Sequence, residues 1–340
     1  MTLKYYLSKR TQCYNNIPLS SKTSFCLFTK NKIKLYLRKY SFRAGLLIVW
    51  QILFTTLSII LSLSHNFLLK IPGEIFLSIC ILQWFILEHD FGHGTFFKNN
   101  IFNIVFGHLA SLFSLLPFYP WKNIHHSHHV WTGWKDLDPT HPKKEVSELS
   151  KGFIFFINLC WKLWIPVFAS SYSINQFWNF KRLKTLYPQS KKKAQHIFSI
   201  FFIVIVFAVF LFFCFNFILT CWLPAFVMYL FITDPLLLSQ HVHIDFADSE
   251  GNNVRPIKYS LQPAYTRSVK YPYWVSKYIL YHFDKHGLHH QHPGIPFYKL
   301  TNMVCPEENS IHWLKWLRIA KGMPAHILIF NSQKETGIIL

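Results

Sequence analysis

Four long apolar runs divide the chain into predicted membrane-spanning helices. They cover residues 44–63, 71–87, 197–219 and 221–240, and each contains at most one charged side chain. A helix needs about 20 predominantly apolar residues to cross the hydrocarbon core of a bilayer. The pattern therefore predicts an all-α integral membrane protein with four transmembrane helices.

Two shorter apolar stretches, 101–118 and 152–170, are ambiguous. Each could span the membrane or lie in its interface as an amphipathic segment. If only the four long runs span, they form two hairpins, and the N-terminus, residues 88–196 and residues 241–340 all lie on one side. If one ambiguous stretch also spanned, the histidine clusters of the chain would be split across the membrane. We therefore expect four spans, with a helical cap that holds the histidines together.

The charge of the chain is strongly basic, at +20, and it is concentrated beside the apolar runs. Residues 1–43 carry ten Lys and Arg and no acid, and 181–193 carry six more. Basic residues next to a span favour the cytoplasmic side and attract anionic lipid head groups. No zinc-finger or RNA-binding signature accompanies the charge, so we expect membrane lipid as the partner and no nucleic acid.

These patterns predict three segments. Residues 1–43 form a basic cytoplasmic N-terminal segment, 44–300 a membrane domain, and 301–340 a cytoplasmic C-terminal tail. The histidines are expected to face the cytoplasm, at a bacterial inner membrane or at the endoplasmic reticulum of a eukaryote.

Histidine clusters supply the candidate chemistry of the chain. An HxxxH box follows the second run, two HxxHH boxes occur later, and one further histidine ends the fourth run. On a helix, positions i, i+3 and i+4 share a face, so each box offers its imidazoles to a common point. The nine candidate metal ligands are His89, His93, His125, His128, His129, His241, His286, His289 and His290.

Other histidines compete for some of these roles. His243 is the alternative to His241, and His126 is out of register within its box. His282 and His292 flank the third box and are further alternatives. Scattered single histidines are interpreted as ordinary packed residues.

Nine imidazole ligands favour two metal ions over one. Imidazole suits zinc, copper, iron or nickel. A structural zinc site needs four ligands and commonly includes thiolates, whereas the cysteines of this chain are not near the boxes. All-histidine sites with open positions indicate redox chemistry with iron and oxygen. We expect no catalytic side chain beyond the metal ligands.

The boxes resemble those of the membrane fatty acid desaturase family, in particular its acyl-lipid branch of delta-12/omega-6 and omega-3 enzymes. The sequence HDFGHGTF from His89 resembles the HDxGHxSF of that branch, with Thr95 in the serine position. PWKNIHHSHH from Pro120 resembles PWRxxHxxHH, and IPFYKL from Ile295 resembles the IPxYxL that follows the third box. Gln240 and the next histidine resemble a QH element, and the likeness runs from about residue 85 to 300.

The resemblance implies an O2-dependent fatty acyl desaturase. Such enzymes use two iron ions, ferrous when reduced, with O2 as co-substrate and electrons from ferredoxin or cytochrome b5. They remove two hydrogens from neighbouring methylenes and leave a cis double bond and water. The substrate would be a fatty acyl lipid, an acyl-CoA or an acyl-carrier conjugate, lying in an apolar tunnel for which Trp84, Phe85, Trp131 and Trp134 are lining candidates.

Two rival functions stay open at this stage. The same scaffold could act as a hydroxylase, acetylenase, epoxygenase or carotenoid ketolase. A metal-binding membrane transporter is a more distant alternative, which would require ionisable residues lining a path within several spans.

Overall fold

The computed structural model describes residues 41–302 and 309–340, so the predicted basic segment lies almost entirely outside the described residues. The helices, numbered along the chain, are α1 (Ser41–Ser62), α2 (Phe67–Gly92), α3 (Asn100–Ser114), α4 (Phe118–Trp131), α5 (Lys151–Lys162), α6 (Phe168–Ser173), α7 (Phe180–Leu186), α8 (Ser190–Phe213), α9 (Phe215–His241), α10 (His286–Gln291), α11 (Trp313–Gly322), α12 (Ala325–Phe330) and α13 (Gln333–Thr336). Two short strands, β1 (Ser268–Lys270) and β2 (Ser310–His312), pair in parallel.

Helices α1, α2, α8 and α9 are long and apolar enough to cross a membrane. They overlap the four predicted runs, so the prediction of an all-α membrane fold with four candidate spans is confirmed. Helix α9 contains a π-helical turn at Ile218–Trp222 and continues through Pro235 to its end at His241.

The four long helices form two hairpins whose turns lie at the same end of the bundle. The α1–α2 turn is tight because a Cβ on Gly73 would lie only 2.4 Å from the backbone nitrogen of Ser62. Only Cys214 separates α8 from α9. The thiol of Cys221, early in α9, lies 3.3 Å from the carbonyl oxygen of Ser62. The opposite ends of α2 and α9, which carry histidines, therefore lie together.

The two ambiguous stretches form part of the cap. The first becomes α3, which is followed by a 99° bend into α4, with Leu115 in the left-handed conformation between them. The second becomes α5 and α6. The start of α6 is fixed by Asp234 of α9, whose carboxylate oxygens accept hydrogen bonds from the backbone nitrogens of Phe168 and Ala169.

The C-terminal residues 309–340 pack onto the cap. Strand β2 pairs with β1, and Trp316 and Leu328 share a buried apolar cluster with Ile157 and Trp161 of α5. The structure thus joins this segment to the cap through an apolar interface, while the division of the chain into three segments stays a prediction.

Candidate metal centre

Four elements bring the nine predicted histidines to one place between the ends of the long helices and the cap. The end of α2 carries His89, and His93 follows one turn later as its C-terminal cap. Helix α4 carries the second box, α9 ends at His241, and α10 is made almost entirely of the third box. Spacings of three and four residues place each box on one helical face, as the sequence predicts.

The nine histidines form two adjacent groups. In each group one ring nitrogen of every member lies within 4.8 Å of the others. The five-membered group is His89, His93, His125, His129 and His289, and the four-membered group is His128, His241, His286 and His290. The rings of His129 and His290 join the groups, with centroids 4.2 Å apart. The structure therefore brings all nine candidates together.

Ring nitrogens in both groups approach one another closely. In the first group, His125 Nε2 lies 3.0 Å from His93 Nε2 and 3.0 Å from His129 Nε2. In the second, His241 Nε2 lies 3.2 Å from His128 Nε2 and 2.7 Å from His286 Nε2. Such contacts place several lone pairs around a common point.

These separations fit nitrogens that share a metal ion. An imidazole nitrogen binds a first-row metal at about 2.0–2.1 Å, so two nitrogens at a right angle lie about 2.9 Å apart and two at a tetrahedral angle about 3.4 Å. The observed 2.7–3.2 Å is closer to the right angle. In addition, Nε2 of His89 and Nε2 of His290 are buried without a hydrogen-bond partner among the described residues. Metal coordination would satisfy both atoms.

The histidines are held in the neutral, ligating form. Burial lowers the pKa of His93 to about 3, with smaller contributions from the charges of His126 and Lys122. Burial, followed by the neighbouring imidazoles, also holds the pKa of His289 and His290 well below the usual value. Metal binding requires a deprotonated ring nitrogen, so the site needs no proton loss before it binds a cation.

A carboxylate orients one of the second-group histidines. Asp138 Oδ2 lies 2.8 Å from Nδ1 of His128, and the hydroxyl of Thr140 lies 2.9 Å from the same nitrogen. Burial alone would raise the pKa of Asp138, but the charge of His128 and the hydrogen bonds of His128 and Thr140 outweigh it and lower that pKa. The partner on Nδ1 leaves Nε2 of the ring free to face the group.

Gln262 performs the same task for the third box. Its Oε1 lies 3.0 Å from Nδ1 of His290, and its Nε2 donates a 2.7 Å hydrogen bond to the carbonyl oxygen of His129. One fully buried amide therefore ties the helix of the second box to a ring of the third. The sequence contains no pattern that marks this glutamine, because it acts across the fold at a distance of many residues.

Phenylalanine rings close the bundle side of the first group. Phe283 and Phe297 are almost fully buried, and both contact His89, with ring centroids 5.6 and 4.8 Å away. Phe297 also contacts His289 at 4.7 Å. These rings keep water away from the ligand face of the histidines. Of the predicted lining aromatics, Phe85 packs edge-on against Phe283.

The remaining predicted aromatics have other partners. Trp84 stacks on Phe113 and donates a hydrogen bond to Thr55, and Trp134 donates one to the carbonyl oxygen of Arg255. Among these described residues, neither tryptophan has a printed contact with a metal-site histidine.

The competing histidines lie outside both groups. His126 is exposed, His243 Nε2 lies 2.8 Å from the hydroxyl of Thr336, and His282 Nδ1 lies 3.0 Å from the hydroxyl of Ser276. His292 caps the end of α10. Near the boxes, Asp136 binds Ser249 rather than a histidine.

Four apolar helices capped by two adjacent all-histidine groups define a class of membrane protein with buried sites that could hold metal ions. Comparison with known families agrees with this class. The fatty acid desaturase family matches residues 65–304, which include all nine histidines. The chain belongs to the fatty acid desaturase family, as its boxes predict.

Named relatives are acyl-lipid enzymes. The chain is 31% identical over 107 residues to a delta(12) fatty acid desaturase of Caenorhabditis elegans, covering 29% of this chain and 28% of the relative. It is 26% identical to the sn-1 oleoyl-lipid 12-desaturase of a Picosynechococcus strain, over 68% of this chain and 67% of the relative. It is 23% identical to the cytochrome b5-dependent acyl-lipid omega-3 desaturase of the Arabidopsis thaliana endoplasmic reticulum, over 72% of this chain and 65% of the relative.

Proposed function

We propose that the protein is an O2-dependent fatty acyl desaturase that introduces a cis double bond, with two iron ions held by the nine histidines. The observation that carries the proposal is the pair of adjacent groups, five and four imidazoles, buried at the ends of apolar helices. Membership of the desaturase family supports the same reaction.

The ligand geometry supports iron over structural zinc. Nitrogen separations near those of a right angle suit five- or six-coordinate ions, whereas structural zinc is almost always tetrahedral. Five imidazoles leave one position of an octahedron open and four leave two. Open positions on an imidazole-bound iron are the condition for reaction with O2.

The protein residues supply position and dryness. Iron, when bound, would carry the oxidation of an unactivated methylene, which no side-chain acid or base can perform. Asp138 and Gln262 fix the ring orientation of His128 and His290. Phe283 and Phe297 exclude water from the first group.

Substrate, donor and orientation follow from the relatives and the charge. The relatives named above act on acyl lipids, and we propose an acyl lipid for this chain, ahead of acyl-CoA or an acyl-carrier conjugate. The electron donor would be cytochrome b5, as in the name of the plant relative, or ferredoxin. Lys191, Lys192 and Lys193 at the start of α8 lie at the histidine end of the bundle, which favours a cytoplasmic site.

Desaturation is preferred over the other reactions of the scaffold. The relatives reported above are all named as desaturases, whereas a hydroxylase, acetylenase or ketolase rests on no observation of this chain. Transport is disfavoured because the imidazoles converge on two closed groups rather than on a path through the spans.

Expression in a host with simple fatty acids tests the proposal. Gas chromatography–mass spectrometry of membrane lipids should show a new unsaturated species, and the purified protein should contain about two irons per chain. His128→Ala should abolish the product while the protein still reaches the membrane, and His126→Ala, an exposed neighbour, should not. A hydroxylated product, or zinc alone in the purified protein, would refute the proposal.

A further inference from the structure

A groove opens between α3 and α8 on the flank of the bundle. Its volume is about 610 Å³, and its walls include Val105, Leu109, Phe198 and Phe202, with His108 and Tyr119 deeper inside. Val105, Leu109 and Phe198 are each about half exposed. The groove thus offers an apolar trough on a surface that faces the membrane, since α8 is a candidate span.

Basic side chains stand at one end of this groove. Lys122 follows Tyr119 by one turn of α4, and Lys191 and Lys192 precede the groove residue Gln195 by one turn of α8. Burial and the nearby ammonium of Lys192 lower the pKa of Lys122. Among the described residues, none of these three lysines forms an ion pair with a carboxylate.

The surrounding sequence does not compensate this charge. Residues 91–135 and 149–233, which include every element that borders the groove, contain no Asp or Glu. The one side-chain partner given for Lys192 is neutral, the Oδ1 atom of Asn123 at 2.5 Å. The end of the groove is therefore a place where an anion would be attracted.

A closed wall separates the groove from the metal centre. Gly107 of α3 lies so close to Phe118 that a Cβ would meet its ring at 2.2 Å. Phe118 is fully buried, and Trp121 is nearly so and stacks on the ring of His125. An acyl chain in the groove would therefore lie behind this wall, away from the ligand nitrogens, and would not be the chain that reacts.

We propose that the groove binds one anionic glycerolipid, with an acyl chain along Leu109, Phe198 and Phe202 and its phosphate between Lys122 and Lys192. Lysines at the start of a span lie at head-group level, where each adds to the attraction of an anionic lipid. The lipid would link α4, which carries the second histidine box, to α8. An acidic soluble protein fits less well, because it would leave the apolar trough exposed.

Native mass spectrometry of the purified full-length chain in detergent micelles tests this directly. Phosphatidylglycerol and phosphatidylcholine are supplied at equal concentration, and the bound lipids are counted. One phosphatidylglycerol should be retained with a preference of about tenfold, since two lysines contribute to its head group. The measurement does not depend on desaturation, so its outcome is independent of the proposed reaction.

Matched variants separate a site from diffuse charge. Lys122→Gln with Lys192→Gln should remove most of the preference, whereas Lys181→Gln with Lys184→Gln, exposed lysines of α7, should change it less than about twofold. Val105→Trp should displace the lipid by filling the groove with every lysine in place. Val204→Trp, about as exposed on α8 but outside the groove, should leave it bound.

Three outcomes would overturn the proposal. They are equal retention of the two lipids, an equal loss in both lysine pairs, and retention of phosphatidylglycerol in Val105→Trp. Binding of cytochrome b5 or ferredoxin that depends on Lys122 and Lys192, without any lipid preference, would assign the basic end to a protein partner instead.

Discussion

Helices α2 and α8 are alike in length and opposite in surroundings. They have 26 and 24 residues, and both are long and apolar enough to cross a membrane. The apolar window of α2 has a mean hydropathy of 1.5 and is 67% buried, whereas that of α8 has 2.9 and is 17% buried. The less apolar helix is therefore the one enclosed by protein, and it is the one that carries the chemistry.

Polar side chains explain the difference. In α2, the buried carboxyl of Glu88 accepts a 2.5 Å hydrogen bond from Ser114, and Gln83 donates one to the carbonyl oxygen of Tyr278. A polar group needs such a partner when water is absent, and lipid cannot supply one. Helix α8 instead ends in Phe212 and Phe213, 81% and 76% exposed. Mean hydropathy alone thus separates a lipid-facing span from a site-bearing one.

The largest effect is expected from removing the ligand at the end of α2. His89→Ala deletes one of the five imidazoles of the first group, so metal affinity and product should each fall by about 100-fold or more. Elemental analysis and lipid analysis would measure the two losses. His65→Ala, in the exposed turn before the same helix, is the control and should leave both unchanged. Full iron content in the His89 variant would contradict the ligand role.

A core truncation in α2 should have the next largest effect. Leu82 is fully buried, so Leu82→Ala should lower the free energy of unfolding by about 2–5 kcal/mol through lost burial and a cavity. Unfolding by sodium dodecyl sulfate in mixed micelles would measure it. A loss below about 1 kcal/mol would mean that α2 is less enclosed than the structure indicates.

A change beside the second group should weaken metal binding without removing a ligand. Asp138→Asn removes the negative charge that pairs with His128 Nδ1, so metal affinity should fall by about 10-fold to 100-fold. Competition with a chelator would measure the loss. Asp136→Asn is the matched control, because that carboxylate binds Ser249. Equal losses in both variants would indicate a general effect of charge instead.

The smallest effect is expected on α8. Leu211 is 46% exposed, so Leu211→Ala should change the free energy of unfolding by no more than about 0.5 kcal/mol. The same micelle titration would measure it beside Leu82→Ala. Similar losses for the two leucines would remove the contrast between the helices.

Much of this arrangement could be predicted from local pattern. Apolar runs predict spans because length and hydropathy are properties of a single segment. The histidine boxes predict ligands because a spacing of three or four residues fixes which side chains share a helical face. Both signals are complete within a few turns of chain, and the family they indicate is confirmed.

The parts that could not be predicted depend on distant contacts. Gln262 joins the second and third boxes, but nothing in its neighbourhood distinguishes it from a surface glutamine. The division of nine histidines into five and four mixes members of different boxes, because His128 and His129 on one helix point to different groups. The fold decides such pairings, and the spacing within a box does not.

The brevity of the two hairpin turns has a consequence for biogenesis. Residues 63–66 join α1 to α2, and a single cysteine joins α8 to α9. Within the described chain, each hairpin can enter the lipid as a closed pair without carrying a hydrophilic domain through it. All metal-binding segments then stay on the side where the ribosome releases them, so iron insertion needs no export of either the metal or its ligands.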